Sequence, residues 1–311
     1  MMKSVTPIRL SAILMATAFL FAGCEKENEN TVDNQPVKAR ITSVIDGMAT
    51  RASGTAWAPG DRIGITAKKA DGTVLFTNMP YVTTEGDGVF TPEGEAFYFQ
   101  DKDEVTFTAY YPFTESSYMA DDRWIMFLTG GLESQKPENQ PKYDVLFATT
   151  TGSSSSPDLQ LRFCHCMSRF VLRFLPGTGV ASLDDITYEL SGIITGGIFN
   201  TLTGETIVNE TSVSVGLTVP GSNASELTSP LILFPQQSED DKTLTLTMRG
   251  KTYTATFKFK ENPNNGNVRE LAAGHTYTYN VKINNTSMTI TPATISNWEE
   301  GGSENIDSTN N

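Results

Sequence analysis

The chain has 311 residues and a formal net charge of −13, with 23 basic and 36 acidic side chains, two histidines and three cysteines. A surface that acidic repels a phosphate backbone, and no basic stripe interleaved with aromatics runs along it, so nucleic acid is excluded as a partner. So few cysteines and histidines leave little material for a disulfide framework, a metal centre or a Ser-His-Asp site.

The first residues form an export signal. Lys3 and Arg9 supply a positive start, and Leu10 to Ala22 is an uncharged apolar run. That run falls short of the roughly 20 apolar residues a membrane-crossing helix needs, and its flanks are those of a secretory signal. Phe21-Ala22-Gly23-Cys24 resembles the lipobox of bacterial lipoproteins, in which the cysteine is acylated and becomes the new N-terminus; Phe21 departs from the usual aliphatic. Stable membrane retention needs more than one acyl chain, which lipoprotein maturation provides. Residues 1–23 are therefore expected to be removed, taking Lys3 and Arg9 with them and moving the net charge from −13 to −15. The next stretch, EKENENTVDNQP, has the composition of a disordered tether over 24–37. An acidic cluster in that place also resembles the signal that sends some lipoproteins to the outer face of the outer membrane.

Beyond the tether, period-two alternation dominates and predicts an all-β protein. Lys38 to Met48 forms the first strand, with Ile41, Val44 and Met48 as its apolar contacts. Ile63 and Ile65 alternate after Gly60-Asp61, and Val105, Phe107, Ala109 and Tyr111 alternate with Thr106, Thr108 and Tyr110. Gly152 to Pro157 is a Ser-rich loop. Leu244, Leu246 and Met248 lead into Arg249-Gly250-Lys251, and Tyr253, Ala255, Phe257 and Phe259 return, the pattern of a hairpin. Val268 to Ala273 is the single helical turn expected. Tyr277, Tyr279, Val281 and Ile283 form a further strand. Just under 290 residues after position 23 exceed what one sandwich core fills, which predicts two domains, 38–167 and 168–311, divided near Cys166 to Arg169.

The chemistry-bearing residues do not assemble into a catalytic pattern. Cys164-His165-Cys166 is an incomplete metal motif, since His275 is the only other histidine and no second ligand pair stands at a suitable spacing. A disulfide between residues two apart is strained. In an extended strand His165 shares a face with Leu159, Leu161, Phe163 and Met167, which makes it a core histidine, and the cysteines are semi-buried structural thiols. Asp101-Lys102-Asp103-Glu104 and Glu85-Gly86-Asp87-Gly88 are exposed turns and not calcium loops. No nucleophile elbow or P-loop occurs, and nothing selects a pair of carboxylates for glycoside hydrolysis. No enzyme, cofactor or metal is expected.

Several phrases, taken in order, resemble the fimbrillin (Mfa-like) family of type V pilus subunits. They are Thr50-Arg51-Ala52 and Trp57 to Ile65 (WAPGDRIGI), FTAYYPF at 107–113, FCHCMSRFVLRF at 163–174, LSGIITGGIFNTLTGE at 190–205, ILFPQ at 232–236, AAGHTYTYNVKIN at 272–284 and ISNW at 295–298. The resemblance implies two tandem transthyretin-like β-sandwiches behind a lipid anchor on Cys24 in the outer membrane. It also implies polymerisation by strand exchange after an arginine-specific protease removes the N-terminal strand. Arg51-Ala52 would be the cleaved bond, with Arg40 a weaker candidate inside the strand. Ser287 to Trp298, carrying Met288, Ile290, Ile295 and Trp298, is the candidate donor strand. Pro292 cannot donate to a ladder and is expected to split it into two short strands joined by a bend. The implied partners are other pilus subunits and a host or bacterial surface receptor. A glycan-binding surface lipoprotein that never polymerises is the alternative, and it would show a flat platform of exposed aromatics.

Overall fold

A computed structural model describes residues 35–46, 57–115, 118–120, 123–129, 132–209 and 211–298. Cys24, Met48, Arg51 and Ala52 lie outside the described residues. The described chain is all-β, with three short 3-10 turns at Leu132–Gln135, Gln140–Lys142 and Pro263–Asn265. No helix among the described residues is long and apolar enough to cross a membrane.

The first core is wrapped by seven strands whose hydrogen-bonded ladder closes on itself. Its order is Leu146–Gly152, Asp158–His165, Arg40–Ile45, Val89–Pro92, Val74–Val82, Arg62–Lys69 and Val105–Tyr111, which pairs back to Leu146–Gly152. All these pairings are antiparallel except one: Arg40–Ile45 runs parallel to Asp158–His165. Ile41, Ile63, Ile65, Phe90, Phe107 and Phe163 lie at the centre of the core. The alternation expected of 105–111 places Val105, Phe107 and Ala109 in this core, but Tyr110 is buried as well, on the opposite side. Ordered pairing begins at Val37, within the span read as tether, because Val37–Lys38 bonds to Tyr98–Phe99.

The second core lies between two four-stranded sheets. One has the order Leu227–Leu233, Ser168–Pro176, His275–Ile283, Met288–Asn297; the other has Val213–Val219, Ile186–Ile193, Lys242–Met248, Lys251–Phe257. Phe170, Leu172, Tyr188, Leu246, Tyr277 and Tyr279 fill the space between them. The hairpin from Lys242–Met248 to Lys251–Phe257 turns at Arg249 (φ 51°) and Gly250 (φ 74°), two positive-φ residues of the kind a tight hairpin requires. The helical turn expected at 268–273 is absent. Val268–Leu271 is a strand, paired to Gln236–Gln237 and Glu261–Asn262. Extension there lets the buried Glu270 carboxylate accept from Asn262 Nδ2 (2.7 Å), Asn265 Nδ2 (2.9 Å) and Gln237 Nε2 (3.1 Å), so tertiary pairing overrides local preference.

Asp158–His165 belongs to the first ladder and Ser168–Pro176 to the second core's sheet, so the chain passes from one core to the other at Cys166-Met167. A third sheet ties distant parts of the chain together: Arg123–Thr129, reached from the first core, pairs with Gly196–Asn200, reached from the second. Tyr118–Ala120 and Thr206–Val208 flank that pair. The described residues, from 35 to 298, belong to one compact unit.

Candidate functional site

The N-terminal strand sits inside a ladder and not at an edge. Arg40 to Ile45 pair residue by residue with Asp158 to Phe163 on one side, and Ile41 and Thr42 pair with Phe90 and Val89 on the other. Period two fixes which side chains go inward. Ile41 (3% exposed) and Ile45 (5%) point into the core with Ser43 between them, while Val44 faces outward and is half-buried. Among the expected contacts Ile41 is inward, but Val44 is corrected: Ile45 takes the inward place, since Ile41 and Val44 cannot share one face of a strand. Ser43 is tolerated inside because its Oγ donates to Gly88 O at 3.3 Å. Charged ends frame the strand. The Arg40 guanidinium is paired to Asp158 (Nη2 to Oδ2, 2.8 Å), and Arg162 Nη1 donates to Asp46 Oδ1 (3.0 Å).

The WAPGDRIGI phrase acquires a physical meaning here. Asp61 N–H donates to Ala58 O, closing a turn with Pro59 second and Gly60 (φ 90°) third, the residues that a type II turn demands. Asp61 then holds the turn, accepting from Ala58 N–H (2.7 Å) and from the Tyr111 hydroxyl (3.1 Å). Burial first, and the Asp61 carboxylate second, raise the Tyr111 pKa far above the usual range. Gly64 must lack a side chain, because a Cβ would stand 2.4 Å from the Tyr110 ring. Trp57 packs edge-on against Phe90, Tyr111 and Phe163 at 5.1 to 5.3 Å.

Where the two cores meet, a third apolar cluster gathers Tyr110, Val145, Cys166, Met167, Phe199, Ile232, Phe234 and Trp298. His165 closes the first ladder beside it. Its ring stacks on Trp298, with centroids 4.3 Å apart and planes 2° from parallel, and its Nδ1 lies 2.9 Å from Asp144 Oδ1. A cleft of about 290 Å³ opens here, walled by Ile45, Trp57, Asp61, Asp144, His165, Arg169 and Trp298 among others. Cys164 is exposed and Cys166 buried, because the strand ends at His165 and its alternation stops there. Burial, and then the Asp46 carboxylate, push the Cys164 thiol up to about 11; burial raises that of Cys166 to about 12. Among the described residues no group of three or more His, Cys, Asp or Glu could hold a metal ion. The two acidic turns are occupied locally: Asp101 and Asp103 both accept from Lys69 Nζ, at 2.9 and 3.0 Å, and Asp87 accepts from Val89 N–H.

The C-terminal segment is one continuous strand, Met288–Asn297, and not two short ones. It lies at the edge of its sheet, where Pro292 faces Tyr279 and a one-residue bulge at Ala293 absorbs the irregularity. An edge position spares Pro292 the second set of ladder bonds it could not make, which is why no break is needed. Met288, Ile290 and Ile295 pack on the second core. Trp298 leaves that core, is 4% exposed, and joins the third cluster. The structure thus unites Trp298 with His165, a juxtaposition that the sequence could not signal, since they lie more than a hundred positions apart. Tyr98 is a large aromatic on the exposed surface (43% exposed).

The profile of the fimbrillin-like family matches residues 50–298. No curated protein matches the chain. Among solved structures, a candidate cell adhesion protein from Bacteroides ovatus is 27% identical with a TM-score of 0.71, covering 86% of this chain and 99% of its own. One of the same description from Bacteroides uniformis is 23% identical with a TM-score of 0.64, over 84% of this chain and 99% of its own. The tip fimbrial protein Mfa3 of Porphyromonas gingivalis shares the fold at 10% identity and a TM-score of 0.52, over 85% of this chain and all of its own.

Proposed function

The chain belongs to the fimbrillin-like family, and from that premise we propose that it is a subunit of a surface pilus with an adhesive role. It is exported, acylated on Cys24 and held on the outer membrane. Its partners are other pilus subunits, and it assembles by strand exchange. The observation that carries this reading is the place of Arg40–Ile45 between two ladder neighbours. That strand closes the ring of the first core, yet it is tied to the following strand only through residues 46–57, which contain Arg51-Ala52. Cutting there and removing the strand opens a groove floored by Phe90, Leu159, Leu161 and Phe163, with unpaired backbone on both sides. Such edges recruit another strand. Met288–Asn297 is the donor we assign, since it holds its sheet by one side only. On this reading residues 38–167 and 168–311 act as acceptor and donor sandwiches. N-terminal sequencing and mass measurement of the protein from sheared surface fibres tests it. The expected product begins at Ala52; fibres built from chains that still carry residues 38–51 would overturn strand exchange at this site.

A further inference from the structure

The cleft between the cores takes Ile45 and Trp298 from the two segments that would exchange, so it is whole in the uncut, unassembled chain, and its composition is unlike that of a structural seam. It mixes two carboxylates, Asp61 and Asp144, with the Arg169 guanidinium, the Gln140 amide and the rings of Trp57, Tyr111, His165 and Trp298. Three polar atoms on its wall residues are buried without a hydrogen-bond partner: Trp57 Nε1, Trp298 Nε1 and His165 Nε2. Unpartnered buried polar atoms are scarce in native proteins and call for an explanation. Three beside one opening is a concentration. Arg169 forms no ion pair among the described residues although it stands in the same wall. The Gln140 amide nitrogen is committed to Gln135 O (2.9 Å) and Pro230 O (2.7 Å), which fixes the side chain and leaves its oxygen as an acceptor.

We propose that this cleft binds a neutral, hydroxyl-rich ring, the terminal sugar unit of a glycan, and so names the ligand class behind the adhesive reading on which it rests. Charge selects the class. Two carboxylates oppose an anion, and the guanidinium opposes a cation. A sugar hydroxyl donates and accepts at once, so it can face Asp144 and Gln140 on one side and Arg169 on another. Flat aromatic rings beside these groups suit the apolar face of a pyranose. Size sets the limit: about 290 Å³ stands at the small end of small-molecule sites, which run from roughly 300 to 1,000 Å³. One ring fits, and a longer glycan must continue into solvent.

The test uses the whole uncut chain from residue 24 onward, which keeps Ile45 in the wall, and saturation-transfer NMR. The probes are methyl glycosides of glucose, galactose, mannose, fucose and N-acetylglucosamine, with methyl sialoside and acetate as acidic comparators. At least one neutral glycoside should bind with a Kd near or below about 10 mM, and Arg169→Met should weaken it about tenfold or more with the melting temperature unchanged. Asp144→Asn, which keeps the shape of the wall, should weaken it as well. Silence across the neutral panel, undiminished binding in Arg169→Met, or preference for acetate or sialoside would each overturn the proposal. Fibre incorporation of Arg169→Met in cells keeps the two readings apart. Normal fibres with lost sugar binding support the cleft, whereas sugar binding without any fibres would leave the cleft standing and remove the pilus.

Discussion

Removing the N-terminal strand should cost the first core a large part of its stability. A chain beginning at Ala52 lacks Ile41 and Ile45, which are almost wholly buried. At about 1.5–3 kcal/mol per buried side chain, these two account for about 3–6 kcal/mol. The ladder adds to this, since six residues pair with Asp158 to Phe163 and two of the six also pair with Val89 and Phe90 on the other side, at about 0.5–1.5 kcal/mol net per hydrogen bond. Whole-domain stability is about 5–15 kcal/mol, so the truncated chain stands close to unfolding. It should melt far below the intact chain in circular dichroism or differential scanning fluorimetry. A synthetic peptide of residues 35–51 should restore the midpoint in a concentration-dependent way, and the same peptide with Ile41→Thr and Ile45→Thr should not. If the truncated chain melts within a few degrees of the intact one and ignores the peptide, the groove carries no such energy and the exchange mechanism loses its driving force.

Cys24→Ala should move the protein from the membrane fraction to the soluble one in high salt, because no helix among the described residues can hold it there. Arg51→Ala should leave a folded, lipidated monomer and no fibres containing this subunit; fibres in that strain would sink cleavage at this bond. Replacing Cys164 and Cys166 with Ser should leave folding and assembly intact. With thiol pKa values raised to about 11 and about 12, alkylation by iodoacetamide at pH 7 should be slow, and it should speed up only as pH rises toward those values and thiolate appears. Trp298→Ala removes the stack on His165 and should cost about 3–5 kcal/mol, the usual range for a buried aromatic. Amide exchange along Met288–Asn297 should quicken, and unchanged protection there would show that the stack does not hold the strand.

The strands were legible because their alternation is local. Leu159, Leu161, Phe163 and His165 do share a face, and the hairpin through Arg249-Gly250 is where the pattern places it. What eluded the sequence depends on distant partners. The inward set of the first strand was misread because Ser43, a polar residue, occupies a core position and is paid for by Gly88 O, so the hydrophobic phase is broken at its middle. Val268–Leu271 is extended only because two neighbours claim its backbone. Pro292 breaks a central strand but not an edge strand, and edge position is a property of the sheet. The pairing of Arg123–Thr129 with Gly196–Asn200 and the meeting of His165 with Trp298 leave no periodic trace at all.

The two terminal strands are held in unequal ways, and the inequality is what exchange requires. Arg40–Ile45 has a neighbour on each side and two buried isoleucines, so it does not leave unaided while it is part of the chain. Its tether to Trp57 keeps it at high effective concentration, and no strand from another subunit can compete on those terms. On the proposed mechanism, cleavage after Arg51 would abolish that advantage, and the strand would become an ordinary ligand, free to be outcompeted. Met288–Asn297 is bonded on one side, and its inward side chains other than Met288 are only half-buried. It is further attached at Trp298, whose backbone N–H donates to Gly274 O at 2.7 Å and whose ring lies on His165. The proposed donor is therefore held by its ladder to His275–Ile283 and, at its end, by contacts of Trp298 with Gly274 and with His165 of the first ladder. If this strand is the donor, as proposed, exchange would have to break the contact of Trp298 with His165 as well as the ladder, which would make that contact a second control point beside the proposed cleavage at Arg51.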